Sequence, residues 1–206
     1  TRRFVEHTLR DYRRAGVDKP PEVRDRLKQI DEELTRLGQQ FSKNISEDVR
    51  TIEVDPKRLV GLPSDFIASH PPQNGGPGRP ATVRISTDYP DYNPFMTYAR
   101  SDARRKELYT EFRRRGHPLN LDVLQRLMTL PHELATLLRY PSCAAYVTQD
   151  KMIRSPENVA AFIERVAAIS EPRAASVYAA LLEEKLRTDP GAEEVFDWEK
   201  THLEDR

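Results

Sequence analysis

NLDVLQRLMTLPHELATLLRYPSCAAYVTQDKMIRSPE, residues 120–157, is the stretch from which the rest of the chain can be read. Leu121, Leu124, Leu127, Met128, Leu134, Leu137 and Leu138 recur at helical spacing, which predicts a helix with one apolar side turned toward another part of the protein. Pro131 lacks the N–H that would bond to Leu127, so a kink or break is expected near Leu130. His132 and Glu133 open the pattern HExxH, in which two histidines one turn apart grip a zinc ion and the glutamate polarises its water. The position that must be histidine is Thr136. A hydroxyl is a poor substitute for imidazole, so the motif fails and His132 reads as an ordinary helix residue.

Composition narrows the class further. Hydrophobic residues make up 37% and charged residues 32% of the 206, against the usual ~45–50% and ~25% of globular domains. There is less apolar surface to bury than a free-standing domain of this size needs, which suggests a piece of something larger. Lys plus Arg and Asp plus Glu are both 33, so no net field draws the chain toward nucleic acid or an anionic membrane. One cysteine excludes an internal disulfide, and no apolar run approaches the ~18–20 residues of a membrane span. With no apolar signal segment at the start, a cytoplasmic location is expected.

Upstream, Phe4, Val5, Leu9 and Tyr12 outline a short amphipathic helix that Gly16 would stop in a left-handed conformation. Val23, Leu27, Ile30, Leu34, Leu37, Phe41 and Ile45 form the most regular stripe in the chain, after a proline start at Pro20 and Pro21. Burying that stripe requires a partner, most simply the preceding helix folded back as an antiparallel pair; dimerisation is the alternative. Thr51 to Val54 and Thr82 to Thr87 alternate like strands and are expected to pair as a two-stranded ribbon. Asp55-Pro56 can cap a turn between them and Gly61 can end it. His70 to Pro80 is the one low-complexity stretch and reads as loop. Gly76 to Ala81 satisfies GxGxxA in letters, but its prolines and the lack of a leading strand exclude a dinucleotide fingerprint.

The next helix, started by Ser101 or Asp102 and closed by Gly116, has Ala103, Leu108, Tyr109 and Phe112 as its apolar face. It also carries Arg104, Arg105, Lys106, Arg113, Arg114 and Arg115, next to Arg100. Asp102, Glu107 and Glu111 are interleaved at helical spacing, so the cluster reads as a solvated, salt-bridged face rather than a nucleic-acid surface. Beyond Tyr140, Ser142 can cap a short helix, and Ser155-Pro156-Glu157 can start another that buries Val159, Phe162, Ile163 and Val166. Glu171-Pro172 reads as the start of a further helix with Val177, Tyr178, Leu181, Leu182 and Leu186, stopped by Asp189-Pro190-Gly191.

No constellation for chemistry emerges. His7, His70, His117, His132 and His202 include no pair four residues apart. Glu199 and His202 have the i, i+3 spacing of a helical ligand pair, which is half a site at most. Cys143 lies among small residues in a helix and reads as a structural thiol. Catalytic, cofactor-binding and metal-binding residues are therefore each assigned as none.

LATLLRYPSCAAYVTQDKMIRSPENV, residues 134–159, resembles a segment of the thimet oligopeptidase family of zinc metallopeptidases, LAxLLGYxSYAxYxxxDKMAxSPExV. Leu134, Ala135, Leu137, Leu138, Tyr140, Ser142, Ala144, Tyr146, Asp150, Lys151, Met152, Ser155, Pro156 and Glu157 carry the resemblance. Arg139 stands where the family usually has Gly, Pro131 where it often has Arg, and Cys143 where it often has Tyr. Leu37, Phe41 and Asn44 are similar to the family's LxxxFxxN, Gly61 to Pro63 to its GLP, and Tyr98, Arg105, Tyr109 and Arg115 to its Arg-rich helix. Trp198-Glu199 stands near its Trp-Asp.

The resemblance implies a mainly α fold, a helical array with an antiparallel helix pair at the start and one small two-stranded β ribbon. It is expected as a single region over 1–206, with a helix pair in 1–50, a loop and ribbon insert in 51–100 and a helical array in 101–206. In the family the zinc-binding HExxH and the residues that act with it lie after the matched region. This chain is expected to end before them, to form part of the wall of a channel for short peptides, and to be inactive alone. Zinc belongs to the full-length parent; the partners are the rest of that peptidase and, through it, short peptides, not nucleic acid or membrane. A stand-alone helical module that binds peptides or proteins without catalysis is the alternative.

Overall fold

The computed structural model describes residues 2–73 and 80–206. In order they form α1 (Arg2–Arg14), α2 (Pro21–Glu47), β1 (Thr51–Val54), a 3-10 turn (Pro56–Arg58), α3 (Ser64–Ser69) and β2 (Val83–Ser86). Then follow α4 (Tyr89–Tyr98), α5 (Asp102–Arg113), α6 (Asn120–Leu137), α7 (Cys143–Thr148), α8 (Pro156–Leu186) and α9 (Lys200–Glu204). The fold is mainly α with one two-stranded antiparallel sheet among the described residues. The Gly76 to Ala81 letters fall, except for their last two residues, outside the described residues.

Two compact units are formed, each from two separate stretches of chain: Thr1–Asn44 with Gly116–Ala167, and Ile45–Arg115 with Ala168–Arg206.

In the first unit the apolar stripe of α2 finds its partner in α6. Ile30 and Leu37 pack with Val123 and Leu130, flanked by Leu34, Phe41, Leu127, Leu134 and Leu137. This corrects the expected pairing with α1, which buries no residue. The reason lies in the residues: the apolar positions of α1 are few and its remaining faces are charged, whereas α6 offers a long run of leucines. At one end the contact is pinned by amides, Asn44 Nδ2 donating to Asn120 Oδ1 at 2.8 Å and Asn120 Nδ2 to Phe41 O at 3.0 Å. Gly16 ends the α1 segment at φ +76°, with Gly16 N bonded to Arg13 O and Val17 N to Tyr12 O, the paired bonds of a Schellman stop. A Cβ there would lie 2.3 Å from Leu27 Cδ1.

Two helices run through a proline, which excludes a break near Leu130 and corrects the helix start expected at Glu171-Pro172. α6 continues through Pro131 to Leu137 without a break, and α8 is one helix of 31 residues with Pro172 inside it. The missing N–H removes one rung of the ladder; in α6 that loss is offset by fully buried Leu130 beside it. The C-terminal stop of α6 is also a Schellman pair, Arg139 N to Thr136 O at 2.9 Å and Tyr140 N to Ala135 O at 2.8 Å. Arg139 occupies its left-handed position at φ +66°.

The second unit is built around the ribbon. Thr51 pairs with Ser86 and Val54 with Val83, which turns Ile52, Val54, Val83 and Ile85 onto one face with Leu59, Phe66, Phe95 and Leu108. Asp55 caps the turn after β1 by accepting from Lys57 N at 2.9 Å. Gly61, at φ +100°, lets the backbone pass so close to Tyr98 that a Cβ would sit 2.3 Å from its carbonyl oxygen.

Candidate functional site

The HExxH-like letters have structural roles. Glu133 receives Arg26 in a two-point ion pair, Nε to Oε1 at 2.6 Å and Nη2 to Oε2 at 2.8 Å. Thr136 Oγ donates to the His132 carbonyl at 2.9 Å, and His132 is exposed. Ser142 caps α7 as its sequence position predicts, accepting from Ala145 N at 3.1 Å. No group of three or more His, Cys, Asp or Glu among the described residues is placed to hold a metal ion. The donors present therefore do not fit the zinc site of a peptidase.

Glu199 and His202 are both buried, and each commits one polar atom to an internal partner. Glu199 Oε2 accepts from Lys185 Nζ at 2.7 Å and from Phe196 N at 2.8 Å. His202 Nδ1 donates to Thr97 O at 2.7 Å. Burial lowers the His202 pKa, and the cations of Arg105 and Arg206 lower it further, against the Thr97 bond. The direction of the shift favours the neutral imidazole.

The basic helix is salt-bridged, as its spacing predicts. Arg104 meets Glu107 at 2.6 Å, and Glu111 takes Arg50 at 3.3 Å and Arg114 at 3.6 Å. Cations also cover the aromatic rings that a nucleic-acid surface would need free, Lys106 over Trp198, Arg113 over Tyr109 and Arg115 over Phe112. Arg105 departs from the solvated reading. It is 4% exposed, donating through Nη1 to Ala99 O and through Nη2 to Asp102 Oδ1 at 3.0 Å. Trp198 Nε1 donates to the same carboxylate oxygen at 3.1 Å. Desolvation lowers the Arg105 pKa, with Asp102 opposing it.

The feature that sequence reasoning missed is how much apolar surface stays open. α8 buries only Lys185; of the side expected to be buried, Val159 is half-buried and Phe162, Ile163 and Val166 are 52%, 58% and 46% exposed, with Ile169 beyond them 74% exposed. In the second unit Ala174, Val177, Tyr178, Leu181, Val195 and Phe196 line an open apolar groove of about 480 Å³. In the first, α6 carries two apolar faces rather than one, because Leu121, Leu124 and Met128 point away from α2 into solvent. α1 leaves Phe4, Val5, Leu9 and Tyr12 exposed. The signal was present in the sequence as a second set of i, i+3, i+4 positions, but periodicity alone does not say which side finds a partner.

The family model for peptidase family M3 matches residues 95–204, more than half of the chain and including α5 to α9. The chain belongs to peptidase family M3. Curated relatives agree over a longer span. A thimet-like oligopeptidase of Dictyostelium discoideum is 29% identical over 198 residues, 95% of this chain and 29% of the relative. Oligopeptidase A of Salmonella typhimurium is 26% identical over 216 aligned positions, 100% of this chain and 32% of the relative. Mitochondrial intermediate peptidase 2 of Cryptococcus neoformans is 32% identical over 169 positions, 80% of this chain and 20% of the relative. This M3 chain thus spans about a third or less of the relatives it matches. None of its described helices is long and apolar enough to cross a membrane.

Proposed function

We propose that this chain is the non-catalytic helical portion of a zinc-dependent oligopeptidase and forms part of the wall of a channel for short peptides. The parent enzyme hydrolyses peptide bonds of oligopeptides, with zinc and the chemistry supplied by residues outside this chain. The observation that carries the reading is the set of exposed apolar helix faces, above all α8, on a chain that spans about a third of the oligopeptidases it resembles. Runs of exposed apolar side chains on one helix mark surfaces that another part of a protein covers. A cytoplasmic setting accords with the lone thiol of Cys143. The test is to incubate the pure 206-residue chain with a short quenched-fluorescence peptide. No cleavage is expected; cleavage that a chelator abolishes would overturn the proposal.

The apolar groove between α8 and the Val195–Lys200 segment favours a second reading, a stand-alone helical module that binds peptides without cutting them. Saturable anisotropy of a labelled apolar peptide on the isolated chain, lost in Tyr178→Glu, would support that reading over the first.

A further inference from the structure

We propose that His70 is a proton-gated clasp at the end of α3, closed when both ring nitrogens carry a proton and loosened when one proton leaves. Nδ1 lies 2.8 Å from the Phe66 carbonyl oxygen, and Nε2 lies 3.1 Å from Asp91 Oδ1 on α4. A backbone carbonyl offers only lone pairs, and so does an ionised carboxylate. A neutral imidazole has one N–H and serves one of these two acceptors, leaving lone pair against lone pair at the other. The doubly protonated ring serves both. The clasp does not depend on the channel reading.

The surroundings agree on where the proton sits. Ser86 donates to Asp91 Oδ2 through its backbone N, at 3.0 Å, and through its Oγ, which keeps Asp91 an acceptor on both oxygens. Between an imidazole and a carboxylate, the imidazole is the stronger base. The His70 ring is also stacked on buried Phe66, centroids 4.2 Å apart, where positive charge meets the face of the ring. Charged groups on the neighbouring elements are Asp65 of α3, Arg84 of β2, and Asp88 and Asp91 of α4. Among the described residues Asp91 is the one in contact with the imidazole, while Arg84 stands across the ribbon from Glu53. Ser86, Asp91 and His70 are not a hydrolase triad, since the hydroxyl is bonded to the acid and not to the imidazole.

Ser69 supplies the loosened state. Its Oγ donates to Phe66 O at 2.9 Å and lies 3.1 Å from His70 Nδ1. When Nδ1 loses its proton the hydroxyl can turn to it, and Phe66 O is left without its side-chain donors. His70 is the C-cap of α3, and three residues on Gln73 pairs with Thr82, N to O at 2.7 Å and 3.0 Å in return. The clasp therefore fixes how the chain leaves α3 for that bridge.

The folded chain offers the second proton two acceptors that the unfolded chain lacks. The stability this contributes is present at low pH and is lost as pH rises through the imidazole range, about pH 5 to 8. The test compares urea unfolding of the 206-residue chain and of His70→Gln across that range. His7, His117, His132 and His202 are common to both and cancel in the difference, including His202, whose shift favours the neutral ring. The parent's advantage should shrink about fivefold to tenfold in the unfolding constant between the two ends. Protection of the Gln73 and Thr82 amides, corrected for intrinsic exchange, should fall with it. In an Asp91→Asn background the same comparison should be flat, because an amide NH2 can donate to Nε2 and satisfies the neutral ring. A difference that is constant or widens as pH rises, or one that Asp91→Asn retains, would overturn the proposal.

Discussion

Arg26 on α2 and Glu133 on α6 face each other as a two-point ion pair, with both carboxylate oxygens engaged at 2.6 and 2.8 Å. The hydrogen bonds from Arg26 hold the Glu133 carboxyl below the usual glutamate range. A depressed folded pKa contributes stability that is present above the unfolded value, near ~4.3, and is lost as pH falls through the folded value. Glu133→Gln should therefore unfold at a lower temperature than the parent at pH 7. The two melting curves should converge as the pH falls below the ordinary glutamate range. A gap that persists there, or is insensitive to salt at pH 7, would assign the effect to packing instead.

Arg139 occupies a left-handed position, φ +66°, at the Schellman stop of α6. A residue with a Cβ is strained there by ~1–2 kcal/mol, while Gly loses more chain entropy on folding, by up to ~1 kcal/mol. Arg139→Gly should raise the urea midpoint by a net gain of up to about 1 kcal/mol, measured with an unchanged slope. A lowered midpoint would mean that the Arg139 side chain makes a contact worth more than the backbone strain.

Lys185 and Glu199 form a buried pair at 2.7 Å, each less than a tenth exposed. Removing one partner strands the other charge, so Lys185→Met should cost about 3–5 kcal/mol. The double variant Lys185→Met with Glu199→Gln should recover a substantial part of that loss. A loss in the double variant equal to the sum of the two single losses would show no coupling between the two residues.

Open and closed apolar positions should respond very differently to truncation. Leu130→Ala, at a fully buried site, is expected to cost about 2–5 kcal/mol. Ile169→Ser, at an exposed position of α8, should change stability by no more than about 0.5 kcal/mol in the isolated chain. A large loss at Ile169 in denaturant titration would mean that α8 is covered in solution.

The devices that act over a few residues were legible in the sequence: the Gly16 stop, the Asp55 and Ser142 caps, and the pairing of Thr51–Val54 with the Val83 strand. Each depends on backbone chemistry that the neighbouring letters specify. Partnership between distant elements was not legible. The α2 stripe fits any apolar helix, and its pairing with α6 depends on Asn44, Asn120 and Arg26 meeting residues 76 to 107 positions away. Pro172 reads as a boundary, because a missing donor is a local fact and the continuity of α8 is not. Arg105 reads as solvent-exposed, because its burial depends on Ala99 O and on Trp198 sharing Asp102 with it. For the candidate site, the letters did indicate that His132 and Glu133 lack a second histidine. They did not indicate that Glu199 and His202 would be buried.

The continuity of α8 has a consequence for amide hydrogen exchange. Its 31 residues span roughly 46 Å at 1.5 Å per residue, and Pro172 leaves the Ala168 carbonyl without its usual donor four residues on. With Lys185 as the only buried side chain of the helix, little beyond the backbone ladder protects its central turns. Deuterium should enter the amides around Ala168 to Ala175 through brief local openings, long before it reaches those of Ile30 or Leu130.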